Sequence, residues 1–163
     1  MYFVYIDIFF RKLSKIGRKG KHTQMDGLKI FSYSGEGLER SYQNEDWMVG
    51  IKNYKTASDL RYMDTLERHL LTDELFAPVT EGTAIAIARP APGGFEITAE
   101  KMEPGRIYAV TRGTWHNAVM RPGAKLLLIE RPGTGPDNSE FHTLAPDEKQ
   151  ALASCPGLNS ITG

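Results

Sequence analysis

Two carboxylates and one imidazole lie within eight residues of this chain, at Glu67, His69 and Glu74, and a second imidazole follows at His116. Residues i and i+2 of a β-strand point to the same face of a sheet, so Glu67 and His69 can lie side by side. If Glu74 opens the next strand it can join them, and His116 can approach from a third strand. Two nitrogen and two oxygen donors that converge in this way suit a divalent metal ion.

The alternative interpretation of these residues is a solvated strand face with surface ion pairs, since Arg68 lies between Glu67 and His69 and charged side chains are usually exposed. Burying two carboxylates without a cation is costly, so convergence inside a barrel would favour a metal ion. A mixed site of this kind accepts Mn, Fe, Ni, Co or Zn. Its imidazoles must be deprotonated to bind, so we expect the metal affinity to fall at acid pH.

Short apolar segments separated by turn residues supply the elements that must position these side chains. Turns about every 8–12 residues predict an all-β sandwich or barrel. The predicted strands are 28–33, 47–54, 59–69, 75–79, 83–88, 95–98, 106–110, 116–120 and 125–131.

Two local patterns carry more specific predictions. Residues 89–94 (Arg-Pro-Ala-Pro-Gly-Gly) predict a loop, because proline cannot donate to a strand ladder. The strands 116–120 and 125–131 predict a hairpin across residues 121–123 (Arg-Pro-Gly).

The C-terminal part of the chain predicts one helix over residues 146–154, with proline at its first position and two acidic residues in its first turn. Residues 156–163 predict a loose tail. His142 lies outside the motifs and is expected at the surface. Cys155 has nothing nearby to lower its pKa, so we do not expect it to be a nucleophile.

Length and composition set broader limits. The chain has 163 residues, which indicates one domain with a real core, and its 40% hydrophobic and 25% charged residues are ordinary for a globular protein. The formal net charge is zero, so we expect no nucleic-acid partner. The single cysteine excludes an internal disulfide and fits a reducing compartment, and we expect a cytoplasmic protein.

The first 24 residues differ from the rest, with six Lys/Arg and one Asp. Residues 1–10 are apolar but too short for a membrane span, and the basic residues follow them, unlike a secretory signal. One interpretation is a membrane-surface anchor. The interpretation we favour is an N-terminal extension over 1–24, non-native or disordered, followed by a single domain over 25–163.

A family resemblance is visible in two motifs. The pattern Gly105-x5-Thr111-x-Gly113-x2-His116 resembles the second motif of the cupin superfamily. Cupins usually have proline at the position of Thr111 and asparagine at that of Met120.

The first cupin motif resembles Glu67-x-His69-x4-Glu74-x7-Gly82, with Glu67 in place of the first histidine. The resemblance implies a double-stranded β-helix (cupin) barrel, all-β with a short C-terminal helix, whose motif residues hold a metal. It therefore implies a metal site at Glu67, His69, Glu74 and His116. Such barrels often pair, so a homodimer is expected by analogy.

A narrower resemblance is to the ureidoglycolate lyase family. It rests on residues 66–69 (Leu-Glu-Arg-His), 76–78 (Phe-Ala-Pro), 112–116 (Arg-Gly-Thr-Trp-His) and 130–133 (Glu-Arg-Pro-Gly). The lyases generally have glutamine where this chain has Glu74. They often have a second histidine at the position of Asn117, and their N-terminal half is longer.

Four further residues are candidates for substrate binding. Arg112 could clamp a substrate carboxylate, or it is a turn residue facing water. Tyr62 and Tyr108 could face the barrel interior as acid/base or orienting groups, or they simply favour strands. Trp115 is either a platform for the substrate or a core or rim aromatic.

The resemblance implies an enzyme that acts on a small polar molecule bearing a carboxylate, a C–N lyase that releases urea and glyoxylate. Glu67, Glu74 and His116 would be its catalytic residues, with one of the two carboxylates as general base. Two alternatives stay open: a sugar or sugar-acid isomerase or epimerase, and a non-catalytic small-ligand-binding barrel, because a barrel fold alone does not decide between them.

Overall fold

The structure is a computed structural model that describes residues 22–159 and residue 161. Its α-helix is α1 (Pro146–Ala153), and 3-10 turns span Thr56–Ser58, Pro136–Asn138 and Pro156–Leu158. The strands are β1 (His22–Met25), β2 (Leu28–Phe31), β3 (Gly37–Gln43), β4 (Met48–Asn53), β5 (Thr65–His69), β6 (Glu74–Pro78), β7 (Thr83–Ala91), β8 (Gly94–Met102), β9 (Tyr108–Val110), β10 (Trp115–Met120), β11 (Lys125–Glu130) and β12 (Ser139–Thr143).

Ten of these strands form two five-stranded antiparallel sheets. Sheet I has the order β3-β4-β11-β6-β9, and sheet II has the order β12-β5-β10-β7-β8. The chain passes from one sheet to the other at most of its connections, which winds a double-stranded β-helix, the barrel of the cupin fold. The predicted all-β barrel with one short C-terminal helix is confirmed.

Apolar residues pack on both sides of sheet II. Between the sheets, side chains such as Phe76, Met120 and Leu126 form the barrel core. On the outer face, Leu66 and Leu152 belong to a second cluster that joins sheet II to α1 and the last turns. Successive residues of a strand point to opposite faces. The strands of sheet II therefore pack against the barrel core with one face and against the C-terminal segment with the other.

The expected hairpin across 121–123 is wrong. Strand β10 pairs with β5 and β7, whereas β11 pairs with β4 and β6. The turn is closed by the amide of Ala124, which donates to the carbonyl oxygen of Arg121 at 3.0 Å, and it carries the chain between the sheets. Both strands still point apolar side chains into the same core, Met120 from one and Leu126 from the other.

The expected loop over 89–94 is also wrong. Strands β7 and β8 continue through it as a hairpin, in which Pro90 pairs with Phe95. The ladder between β7 and β10 ends at the pair of Ala88 and Trp115, so Pro90 lies on an edge. Its missing N–H leaves no ladder bond unmade there.

The predicted strand over 59–69 is shorter than expected, because only Thr65–His69 is extended. The Asp59 carboxylate accepts hydrogen bonds from the backbone and guanidinium of Arg61, and its carbonyl oxygen accepts from Met63. Local side-chain bonds of this kind compete with strand pairing. The turn they form leaves Tyr62 56% exposed.

The predicted helix is confirmed, but the tail after it is not loose. Leu158 and Ile161 are buried in the outer cluster. A Cβ on Gly157 would clash with the carbonyl oxygen of Ala99, so glycine permits this close approach. His142 is half-buried rather than simply at the surface, and its Nε2 lies 2.7 Å from the carboxylate of Glu148 on α1.

The N-terminal boundary drawn between residues 24 and 25 lies inside β1, which pairs with β2 as a separate hairpin. The rest of the predicted extension, residues 1–21, lies outside the described residues. None of the helices in the described part of the chain has the length and apolar content that a bilayer crossing requires.

Burial of the C-terminal segment leads to a stability prediction. We expect Leu158→Ala to lower the free energy of unfolding by about 2–5 kcal/mol, since it removes a fully buried side chain. Urea unfolding followed by circular dichroism measures this. The matched control is Leu71→Ala, because Leu71 is 56% exposed and should change stability by less than about 0.5 kcal/mol. Equal effects of the two substitutions would contradict the packed C-terminal segment.

Candidate metal site

Three strands bring the four predicted ligands together. Glu67 and His69 share one face of β5, Glu74 is the first residue of β6, and His116 of β10 pairs directly with Glu67. Each residue offers one ligand atom, and these atoms all lie within 4.8 Å of one another. His69, Glu74 and His116 are buried, and Glu67 is half-buried. The sequence pattern had required Glu74 to open a strand, and it does.

The carboxylate of Glu74 is the centre of the group. Its Oε2 lies 2.7 Å from Nε2 of His116 and 3.0 Å from Nε2 of His69. Burial alone would raise the pKa of Glu74, but the hydrogen bonds from the two histidines outweigh it and hold the pKa at about 2. Burial opposes the charged form of His69, yet the bond and charge of Glu74 raise the pKa of that imidazole.

The other ring nitrogens are held by partners outside the cluster. Nδ1 of His116 lies 2.8 Å from the carbonyl oxygen of Thr114, which only accepts, so this nitrogen carries a proton. Nδ1 of His69 lies 2.8 Å from the hydroxyl of Ser139. Such bonds fix the ring orientation and leave Nε2 as the metal-binding atom.

This arrangement tests whether a cation fits. With Nδ1 protonated, neutral His116 has a lone pair at Nε2, and the ionised carboxylate of Glu74 faces it at 2.7 Å. Two acceptors at this distance need a positive charge between them, either an additional proton or a metal ion. Two imidazole nitrogens and two carboxylates are donors that divalent transition metals accept. The residues present therefore fit a metal ion.

Sequence reasoning missed one buried acid beside the cluster. Glu130 ends β11 on the inner face, following Leu126 and Leu128, and its Oε2 lies 4.0 Å from Nε2 of His69. Burial raises the pKa of Glu130, and the negative charge of Glu74 adds to this effect. The signal was present in the sequence. Alternate residues of a strand share a face, so Glu130 lies on the same inward face of β11 as Leu126 and Leu128.

The cluster opens into a cavity of about 210 Å³. The cavity lies between the two sheets on the side of the edge strands β3 and β12. It is smaller than the ~300–1,000 Å³ pockets that take drug-sized ligands, so it suits a small molecule. Its lining residues are Leu38, Arg40, Lys52, Glu67, His69, Glu74, Leu128, Glu130, Thr134, Gly135, Pro136, Ser139 and Phe141.

Two of the four predicted substrate-binding residues lie in exposed turns away from this cavity. The backbone amide of Arg112 donates to Asp73 at 2.8 Å, and Arg112 contributes to a groove that also includes Trp47 and Leu75. Tyr62 is exposed in the turn that precedes β5. Neither residue is among those that line the cavity beside the candidate metal ligands.

The other two are packed elsewhere. The hydroxyl of Tyr108 accepts a hydrogen bond from the amide of Glu103 at 2.9 Å, and its ring packs against the barrel core. Trp115 precedes His116 on β10 and belongs to the outer cluster, where the guanidinium of Arg68 lies 4.7 Å from its ring centroid. Its packing agrees with the core interpretation of this residue.

Together, the strand order and the buried histidine and carboxylate group define a cupin-type double-stranded β-helix with a candidate metal site. No protein-family model and no curated protein sequence matches this chain.

Several solved structures are similar to this chain. A cupin-2 domain-containing protein from Shewanella frigidimarina is 16% identical, with 60% of this chain and 82% of that chain covered and a TM-score of 0.42. Streptomyces PAC13 with uridine is 8% identical, with 81% and 90% covered and a TM-score of 0.47. The QdtA 3,4-ketoisomerase from Thermoanaerobacterium thermosaccharolyticum is 13% identical, with 75% and 83% covered and a TM-score of 0.42. These scores are low, and the fold class follows from the strand order of this chain itself.

The central position of Glu74 leads to a metal-binding prediction. We expect Glu74→Gln and His116→Ala to reduce the metal content of purified protein. The first replaces a charged carboxylate ligand with a neutral amide, and the second removes a nitrogen ligand. Elemental analysis after incubation with Mn, Fe, Ni, Co and Zn salts measures this beside the wild type. Glu103→Gln is the control, since the side chain of Glu103 forms an exposed ion pair with Arg106. Equal metal content in Glu74→Gln and wild type would remove Glu74 from the site.

The raised pKa of His69 leads to a prediction of pH dependence. Its imidazolium persists to higher pH than an ordinary histidine, and a metal must displace that proton, whereas Glu74 is ionised throughout this range. We expect the apparent affinity to rise with pH, by about tenfold per unit for each proton displaced, and to level off above the raised pKa. Titration with Zn²⁺ from about pH 5.5 to 8.5 measures it. An affinity that does not change with pH would show that metal binding displaces no proton from a histidine.

Proposed function

We propose that this protein is a metal-dependent enzyme that acts on a small polar substrate bearing a carboxylate, as a C–N lyase of the ureidoglycolate lyase type. The observation that supports it is the group of Glu67, His69, Glu74 and His116, three of them buried, beside a small cavity. A buried group of ligands beside a concave pocket is the usual arrangement of a catalytic site.

The resemblance in sequence supports the choice of reaction. Residues 66–69 and 112–116, which resemble the lyase motifs, supply three of the four ligands. Two of the departures from the lyase family are single residues, Glu74 and Asn117. Asn117 donates to the carbonyl oxygen of Thr65 at 2.8 Å, and this bond gives it a structural role. Glu74 is the departure that bears on the chemistry, because it adds a charged oxygen donor where the lyases generally have glutamine.

In this proposal His69, Glu74 and His116 hold a divalent metal ion, which would supply Lewis-acid stabilisation of negative charge on a substrate oxygen. The carboxylate of Glu67 makes no hydrogen bond to any residue in the described part of the chain, so it is free to act as general base. With ureidoglycolate, Glu67 removes the proton of the hydroxyl group. The oxygen lone pair forms the carbonyl of glyoxylate, the C–N bond breaks, and the proton is returned to the nitrogen of the departing urea.

Two other functions of the same site differ in product. A sugar-acid isomerase would give an isomerised sugar instead of urea and glyoxylate, and a binding barrel would give no product at all. The predicted homodimer, the cytoplasmic location and the domain limits at 1–24 and 25–163 stay predictions.

The reaction leads to an activity prediction. We expect metal-loaded protein to release urea and glyoxylate from ureidoglycolate, and Glu67→Gln to lower kcat by about 10²-fold or more, the usual contribution of a general base. Coupled assays for both products measure the rate, and Glu103→Gln should match the wild type. Metal analysis of each variant accompanies the assay, so that loss of the base is distinguished from loss of the metal.

Turnover of sugar acids but not of ureidoglycolate would replace the lyase with the isomerase. Tight binding of small acids without turnover would replace it with the binding barrel. Unchanged kcat in Glu67→Gln would remove Glu67 as the base.

A further inference from the structure

The cavity beside the metal ligands is lined by both acidic and basic side chains. Its inner end is formed by three glutamates and His69. Its lining also includes two basic side chains from sheet I, Arg40 of β3 and Lys52 of β4. Neither belongs to the motifs that identify the ligands. Their charges differ in how far the protein itself neutralises them.

The guanidinium of Arg40 already has partners within the protein. Its Nη2 donates to the carbonyl oxygen of Thr134 at 2.6 Å and lies 3.4 Å from Oε1 of Glu130. Glu130 therefore offsets the charge of Arg40 within the same cavity, and the bond to Thr134 fixes the position of the guanidinium.

Lys52 is not matched in this way. Its side chain makes no hydrogen bond or ion pair with any residue from 22 to 159 or with residue 161. Leu38, Leu128 and Phe141 line the same cavity, and apolar neighbours of this kind strengthen the attraction between an ammonium and an anion. Lys52 is thus a cation in the cavity whose counter-charge the described protein does not supply.

The register places Lys52 at a distance from the cluster. Lys52 pairs with Leu126 across β4 and β11, whereas Glu130 lies four residues further along β11, about 13 Å at the usual rise of a strand. The long lysine side chain spans part of this distance. A molecule that contacts both ends must carry its anionic group some bonds away from the atom that reaches the cluster.

We infer that Lys52 binds the carboxylate of the substrate, so that a hydroxyl or carbonyl oxygen of the same molecule lies at the metal ligands. The substrate class is a small acid whose carboxylate lies several bonds from the oxygen at the metal ligands. In ureidoglycolate that oxygen is the ureido carbonyl, since its hydroxyl and carboxylate share one carbon. This inference rests on the proposed function, which places a metal ion at the inner end of the cavity. It assigns to Lys52 the anion-binding role that the sequence had suggested for Arg112.

The test uses hydroxy acids of two to five carbons, from glycolate to 5-hydroxyvalerate, each beside its neutral amide. Isothermal titration measures their binding to metal-loaded and metal-free protein. The variants are Lys52→Met, which keeps most of the length of the side chain without its charge, and Lys52→Arg, which keeps the charge. Lys101→Met is the control, because Lys101 is paired with Glu81 on the surface at 3.5 Å.

We expect at least one acid to bind the wild type at least tenfold more tightly than its amide. Lys52→Met should remove most of this preference, and Lys52→Arg should recover it, with thermal midpoint and metal content unchanged in both. The inference is overturned if none of the acids is preferred over its amide, or if the preference survives in Lys52→Met.

The two proposals fail in different measurements. A wild-type protein that takes up no metal would contradict the proposed function, yet the preference for acids would still be measured on the metal-free protein. If the protein takes up metal and turns over substrate, but its preference for acids does not depend on the charge of Lys52, only the present inference is contradicted.

Discussion

The carboxylate of Glu74, held between the two imidazoles of His69 and His116, is the contact on which the site depends. A buried negative charge is tolerated only where positive charge or hydrogen-bond donors surround it, and here β5 and β10 of sheet II supply both partners to a residue of sheet I. The contact therefore ties the two halves of the barrel at the point where the cavity begins. A metal ion bound there would supply positive charge beside this carboxylate.

The same constraint divides the barrel interior into two zones. Towards one end, Phe76, Met120 and Leu126 fill the space between the sheets as an ordinary apolar core. Towards the other, inward positions of the same strands carry ionisable groups, as β11 does in passing from Leu128 to Glu130. The packed zone gives the polar zone fixed walls, so the ligand atoms are positioned by strand register instead of by flexible loops.

The convergence of the four candidate ligands could be predicted from the sequence, because two of them follow the period of a strand and the others fall at motif spacings. Arg40 and Lys52 could not, because β3 is mostly polar and gave no strand signal, and a lysine on β4 looks solvated until the opposite sheet encloses it. The pairing of β10 was missed for a related reason. Apolar alternation states which face of a strand is buried, but it does not state which sheet the strand joins.

The crossing between β10 and β11 has a consequence for how the chain folds. Neighbours in the sheets are mostly distant in sequence, as where β12 pairs with β5 and β11 with β4, so few native contacts form locally. Topologies of this kind fold slowly, because the entropy cost of closing long loops comes before strand pairing stabilises the chain. The ligands from β5, β6 and β10 converge only once both sheets have closed, so a metal ion would bind an almost complete barrel and would act late in folding, as a lock on the finished structure rather than as its nucleus.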